Sequence, residues 1–419
     1  MIASSSRRAP DAFDRFLAAA ALAAGALIAL RAPGFGDYPT DAGPALSAIA
    51  HGHIAGFFSH QPAMGAISLY VRAPFVILAA ALHDSPIGLY RLGDLPCVLS
   101  VALVATWMAR VAGRRGTSRP GQVLIVAICL GNPLMRDALY WGHPEELLTA
   151  SFAVGSLLAA CERRVVLAAV LAGLAVATKQ WALLIVCPTL LVLERERIRA
   201  GLMMLAVAAG STAPMVVANL AAFRHALSFI STPQPVTTVF TWIYPLSPTG
   251  TVRVSNIFGD QRSFIAHTVP GVVSTISHPL IIGLGVVVPL FVWLRRGRRL
   301  SGRAMLTSMA LVFLLRCALD PGTMGYYHFP LLLTLVALDA TSGRRVPTLG
   351  VLAFAGALTV LDRFPDYLSA NLANAIYVLV SIVAAAALAR ELRPAPQPDD
   401  GPRRRDRYGR LHRFAAASD

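Results

Sequence analysis

Lys179 is the only lysine in the chain, and it stands between two apolar runs, 165–178 and 181–193. An ammonium group at membrane depth is costly unless it lines a cavity or meets an anion, so by default it marks a functional site. The alternative is a side chain at a helix end whose charge reaches the headgroups. Three further clusters hold groups that can move protons or bind anions. The first places Asp37 and Asp41 soon after an initial apolar run, with His51, His53 and His60 beyond them. A carboxylate in that position can serve as general base toward an acceptor hydroxyl. Asp41 also reads as the N-cap of a helix that begins Ala42-Gly-Pro-Ala-Leu46. His51 and His53 are two apart, which does not suit the i, i+4 spacing of helical metal ligands. No cofactor is indicated, and a divalent metal is left open.

The second cluster runs from Arg136 and Asp137 through Tyr140 to His143, Glu145 and Glu146. Two acids at a helix start are favoured by the macrodipole alone; beside a histidine and an arginine they also suit substrate binding. The third holds Arg316, Asp320, Tyr326, Tyr327 and His328. Its tyrosines read either as interface aromatics or as the wall of a pocket for a sugar or a lipid phosphate.

These groups must be positioned by helices in a bilayer. The chain has 419 residues, 56% of them hydrophobic and 14% charged, against about 25% charged in a soluble domain. The composition predicts an all-α, polytopic membrane protein. The formal charge of +15 falls in small arginine clusters between apolar runs, the pattern of cytoplasmic loops, and a nucleic-acid partner is not expected. Cys97, Cys129, Cys161, Cys187 and Cys317 show no paired spacing, so neither a disulfide framework nor a zinc site is expected.

The arginine clusters set the path. A run at about 13–32, with no convincing cleavage site after it, reads as a retained first helix leaving the cytoplasm. An external segment, 33–89, carries interfacial helices, with 66–82 laid along the interface because Arg72 and Pro74 interrupt it. Crossings follow near 90–112, 120–134, 146–161, 165–179, 181–194 and 201–221, then, after a second external segment at 222–276, near 277–294, 304–318, 326–341, 347–361 and 371–390. That makes about twelve spans, several short of the ~20 residues a bilayer asks for. The pair within 165–194 is the weakest and reads also as a hairpin that does not fully cross. One membrane domain, 1–390, is followed by a disordered basic cytoplasmic tail, 391–419.

The motifs between these helices resemble the GT-C superfamily of integral-membrane glycosyltransferases, and most of all its bacterial polyprenyl-phosphate-mannose-dependent branch. The resemblance rests on Asp41-Ala-Gly-Pro-Ala-Leu46 after the first span and on Leu89-Tyr-Arg-Leu-Gly-Asp-Leu-Pro96 opening the next. It rests further on Gly142-His-Pro-Glu-Glu-Leu-Leu148 followed by Leu171 to Lys179, and on Tyr326-Tyr-His-Phe-Pro330. The pattern covers roughly residues 10–340. It departs at Lys179-Gln180, where many relatives have Lys-Pro, and around His143 and Glu145, near whose positions many have a Gln and an Asn.

The resemblance implies an inverting transfer of mannose or another hexose or pentose from a polyprenyl-phosphate donor to an envelope glycolipid or glycan. The reaction would occur on the outer face of a bacterial plasma membrane. Asp41 would be the base, with Asp37 the runner-up, and Lys179 would hold the phosphate. His143, Glu145, Glu146, Tyr327, His328 and Arg136 would complete substrate binding. The competing reading is a polytopic transporter or lipid flippase of the envelope, which lacks support from any internal repeat.

Overall fold

The structure, a computed structural model, describes residues 11–34, 36–82, 85–231, 236–255, 261–297 and 300–393. The expected tail lies, from residue 394 on, outside the described residues. The all-α class holds: apart from one hairpin and an isolated bridge, the regular structure of the described residues is helical.

Helix α1 (Ala12–Leu30) starts where the Asp11 side chain accepts from the Asp14 N–H. It packs along α5, with Gly25 facing Val98, Leu99 and Ala102. Between them come a single turn at Tyr38–Thr40 and three helices, α2 (Gly43–Ala50), α3 (Ile54–Ser59) and α4 (Ala66–Ala81). Helix α5 (Pro86–Arg114) is capped by Ser85 with proline at its first position, and its 29 residues reach ~43 Å at 1.5 Å per residue. Helix α6 (Arg119–Leu130) breaks at Gly131-Asn132 and resumes as α7 (Pro133–Tyr140), capped by the Asn132 side chain. The crossing read at 120–134 therefore extends to Tyr140.

Helix α8 (Pro144–Cys161) runs through the middle of the bundle, buried on almost every face and packed against α5, α14 and α15 as well as its neighbour α9 (Val165–Val176). A side chain on α8 thus sees protein on all sides. Helix α9 ends at Ala177, and the backbone continues through Lys179 in extended conformation into a 3-10 segment, Gln180–Ile185, and the short α10 (Val186–Val192). The weak pair at 165–194 is this interrupted element. Then follow α11 (Arg197–Ala218), which contains Pro214, and α12 (Leu220–Ser231).

The second segment read as external, 222–276, holds a two-stranded antiparallel hairpin as well as the end of α12. Strand β1 (Thr249–Ser255) pairs with β2 (Gln261–His267), Val252 opposite Phe264. The bundle closes with α13 (Gly271–Arg295), α14 (Gly302–Leu319), α15 (Phe329–Ser342) and α16 (Thr348–Gly356). A π-helical stretch, Ala357–Arg363, leads into α17 (Phe364–Tyr367), and α18 (Ala370–Glu391) comes last.

Eight helical stretches among the described residues are long and apolar enough to cross a membrane. The other four segments read as spans correspond to α8, α9, the 3-10 segment with α10, and α15. Three of them are short, and α8 carries two glutamates near its start. Of these four, α8 and α15 are buried along most of their length, so protein is their main environment. Arg72, which the sequence suggested as the break that lays α4 on the interface, is wholly buried and paired with Asp94 of α5 at 3.1 Å. Its charge is met inside the bundle.

Candidate active site

Three chain segments converge on one cluster, each held there by backbone contacts. The turn after α1 is stitched to the turn after α7: the Asp37 N–H donates to the Trp141 carbonyl at 2.9 Å. Gly36, at φ +28°, lies so close that a Cβ would sit 2.3 Å from the Trp141 oxygen, so only glycine fits. Tyr38 packs against Tyr90 with ring centroids 5.0 Å apart, and the Arg72 guanidinium lies over its ring. The Tyr90 hydroxyl donates to the Leu139 carbonyl in turn. The buried Arg72–Asp94 pair and these two rings support the turn that carries Asp37 and Asp41.

Asp41 does not cap α2. The N-cap position is Ala42, without any side-chain bond, and the Asp41 carboxylate accepts from the Ala63 N–H at 3.1 Å, 22 residues along the chain. It is half-buried. Burial first, and then the negative field of Glu145, raise its pKa from the ordinary carboxylate value, while His143, Lys179 and the Ala63 N–H oppose them.

The second segment is the start of α8, reached through Gly142 at φ +82°. The His143 Nδ1 lies 3.0 Å from Glu145 Oε1 and its Nε2 3.6 Å from Asp37 Oδ2. Burial alone would lower the imidazole pKa, but the carboxylates of Asp37 and Glu145 outweigh it and push it up to about 9. The imidazolium form prevails at neutral pH. The third segment is the end of α9, fastened to the start of α4 by Gly65 N–H to Thr178 O (2.9 Å) and Ile67 N–H to Ala177 O (3.2 Å). That fastening delivers Lys179, 14% exposed, to Glu145 Oε1 at 3.1 Å and Glu146 Oε1 at 3.4 Å. Glu146 Oε2 accepts from the Trp181 indole N–H at 2.8 Å. The other oxygen of Glu145 is buried without a hydrogen-bond partner among the described residues.

Asp41, His143 and Glu145 offer ligand atoms within 4.8 Å of one another, the dimension of a metal site. Lys179 already meets Glu145 there, so a divalent ion would stand beside an ammonium group and be repelled by it.

The structure thus brings together Asp37, Asp41, His143, Glu145, Glu146 and Lys179. Tyr326 joins them, its ring 5.4 Å from that of His143, and Tyr327 meets Tyr326 edge to face. Two other candidates are committed elsewhere. Arg136 pairs with Asp362 at 2.5 Å on an exposed face. His328 is buried, with Nδ1 near the Gly325 carbonyl and Nε2 near the Tyr377 hydroxyl, each at 3.0 Å. Both ring nitrogens are used within the protein, and His328 ties α15 to α18. Sequence reasoning missed Trp181 and the pairing of Arg72 with Asp94. A charge of each sign in neighbouring apolar runs was the available signal for that pair.

These features define a multi-pass membrane protein with a polar, acid-rich cluster set among its short helices. The profile of glycosyltransferase family 87 matches residues 73–318, and the chain belongs to that family. It is a membrane glycosyltransferase of the GT-C type. The matched stretch contains His143, Glu145, Glu146, Lys179 and Arg316, while Asp41 and the 326–328 motif lie outside it. No curated protein and no solved structure matches the chain.

Proposed function

We propose that this glycosyltransferase takes its sugar from a polyprenyl-phosphate carrier and transfers it to a hydroxyl of an envelope glycolipid or glycan, at the outer face of a bacterial plasma membrane. The observation that carries this reading is Asp41. Its half-buried carboxylate is held by a backbone N–H rather than by a helix end, and it opens toward His143, Glu145 and Lys179.

Asp41 takes the proton of the acceptor hydroxyl as its oxygen attacks the anomeric carbon. The bond from that carbon to the phosphate oxygen breaks on the opposite side, so configuration inverts and polyprenyl phosphate leaves without needing a general acid. His143, gripped between Asp37 and Glu145, places a positive charge beside the site, where preorganised charge lowers the barrier. Asp37, 58% exposed at its side chain, orients His143 and is the alternative base. Glu145 and Glu146 are suited to accepting hydrogen bonds from sugar hydroxyls once a substrate displaces part of their present network. The reaction needs no divalent metal on this reading, because Lys179 supplies the cation beside Glu145.

The test is transfer of labelled mannose from polyprenyl-phosphate-mannose in membranes that hold the protein, beside the Asp41→Asn variant at equal expression. Transfer by the first and its loss in the second support the reading. Full activity in the variant moves the base to Asp37, and failure across a panel of lipid-linked sugars and acceptor extracts overturns it.

A further inference from the structure

The cations near the site differ in how their charge is met. Lys179 faces two carboxylates, at 3.1 and 3.4 Å. Arg316, in the last turn of α14 and only 5% exposed, has no carboxylate within 4.0 Å among the described residues. Its guanidinium lies against two rings, 4.8 Å from the centroid of Trp181 and 4.9 Å from that of Tyr327. One of its nitrogens donates to the Tyr327 carbonyl at 3.3 Å, and its other N–H groups make no hydrogen bond among the described residues. The nearest acid along the chain, Asp320, is engaged by the Gly322 N–H at 3.1 Å and by His278 at 4.0 Å.

A buried guanidinium without a counterion is unfavourable unless an anion completes it. The two rings and the Tyr327 carbonyl hold the group in place, and the N–H donors they leave unused among the described residues are available to a ligand. Guanidinium donors match phosphate oxygens two at a time, which an ammonium group does not. Trp181 links this place to the catalytic cluster, since its ring covers Arg316 while its N–H holds Glu146, the partner of Lys179.

We infer that Arg316 binds the phosphate of the lipid-linked donor and of the polyprenyl phosphate that leaves, while Lys179 is the counterion that holds Glu145 and Glu146 in place. This rests on the donor class proposed above and replaces Lys179 by Arg316 as the phosphate ligand. The leaving phosphate develops its charge against a cation that no carboxylate neutralises among the described residues, so the stabilisation grows as the bond to the sugar breaks.

The experiment is binding of polyprenyl phosphate to the full-length protein in lipid nanodiscs, with the uncharged polyprenol as control and inorganic phosphate as competitor. Wild type is expected to prefer the phosphate over the alcohol by at least tenfold, with inorganic phosphate competing only in large excess. Arg316→Gln is expected to lose that preference, and Arg316→Lys, which keeps the charge without the planar fork, to retain part of it. Asp41→Asn should bind as wild type does while failing to transfer. An unchanged preference in a folded Arg316→Gln protein overturns the assignment and leaves the donor class standing. If Arg316→Gln does not fold, full preference in Arg316→Lys overturns the need for the fork. Wild type that binds phosphate and alcohol alike overturns the donor class itself, and equal competition by inorganic phosphate overturns the lipid as the ligand.

Discussion

Two clusters of buried charge lie side by side in this protein, and they are built differently. Arg72 and Asp94 are both wholly inaccessible and pair one to one on neighbouring helices, α4 and α5. The other cluster sets one lysine and one histidine among Asp37, Asp41, Glu145 and Glu146, and its members range from fully buried Glu145 to largely exposed Asp37. A charge that no solvent or ligand can reach can only organise what surrounds it; here it carries the Tyr38 and Tyr90 rings. A cluster with unequal charge and an open edge can exchange partners with a substrate. Exposure and charge balance, rather than burial alone, separate support from chemistry.

The comparison breaks first at Asp41. Asp41→Asn should lower transfer by about 100- to 10,000-fold, the range of general base catalysis, with an unchanged melting temperature; labelled-sugar transfer and a detergent melt on the same preparation check both. Asp94→Ala should do the reverse. It strands Arg72 without a counterion and should cost about 3–5 kcal/mol of stability, seen as a lower melting temperature and yield, while activity per folded molecule stays near wild type. Restoring an apolar pair with Arg72→Met and Asp94→Leu together should recover much of that loss. If Asp94→Ala instead abolishes activity in a protein that melts normally, the support role is wrong.

The pH profile sharpens the same contrast more gently. Asp41 must be ionised to act, and its pKa is raised, chiefly by burial. Activity should therefore fall on the acid side at a pH above the ordinary carboxylate range. His143 carries its proton up to about 9, so kcat/KM should fall again as pH rises through that value, and His143→Gln should flatten this alkaline limb at a cost of about 100-fold in rate. The smallest effect expected is from chelation: EDTA should leave transfer unchanged, because Lys179 stands where a metal would add charge. Loss on chelation and recovery with a divalent ion would reassign Asp41, His143 and Glu145 as ligands.

Much of the fold was readable from local pattern. Apolar runs of sufficient length announced α1, α5, α11, α13, α14 and α18, because burial in lipid demands a continuous apolar surface. Proline and glycine signalled their breaks, as at Gly131-Asn132-Pro133. The hairpin β1–β2 lies inside the external segment at 222–276, where the only local sign of it is the alternation of Thr251-Val-Arg-Val254. The role of Asp41 was ambiguous between cap and base for a physical reason. A cap is a local bond, and only the distant Ala63 N–H, which takes the carboxylate instead, removes that reading.

By itself the sequence determined a polytopic helical protein and a short set of polar residues too costly to leave unpaired in a membrane, Lys179 first among them. That followed from composition and spacing, since solvation by lipid acts on each residue wherever it lies in the fold. Partnership was decided only by the tertiary structure. Lys179 meets glutamates 34 and 33 residues before it, His328 turns to Tyr377, and Arg316 lies against Trp181 with no acid partner among the described residues. Such pairings depend on distances of a few ångströms between residues far apart in the chain, and no local pattern encodes them.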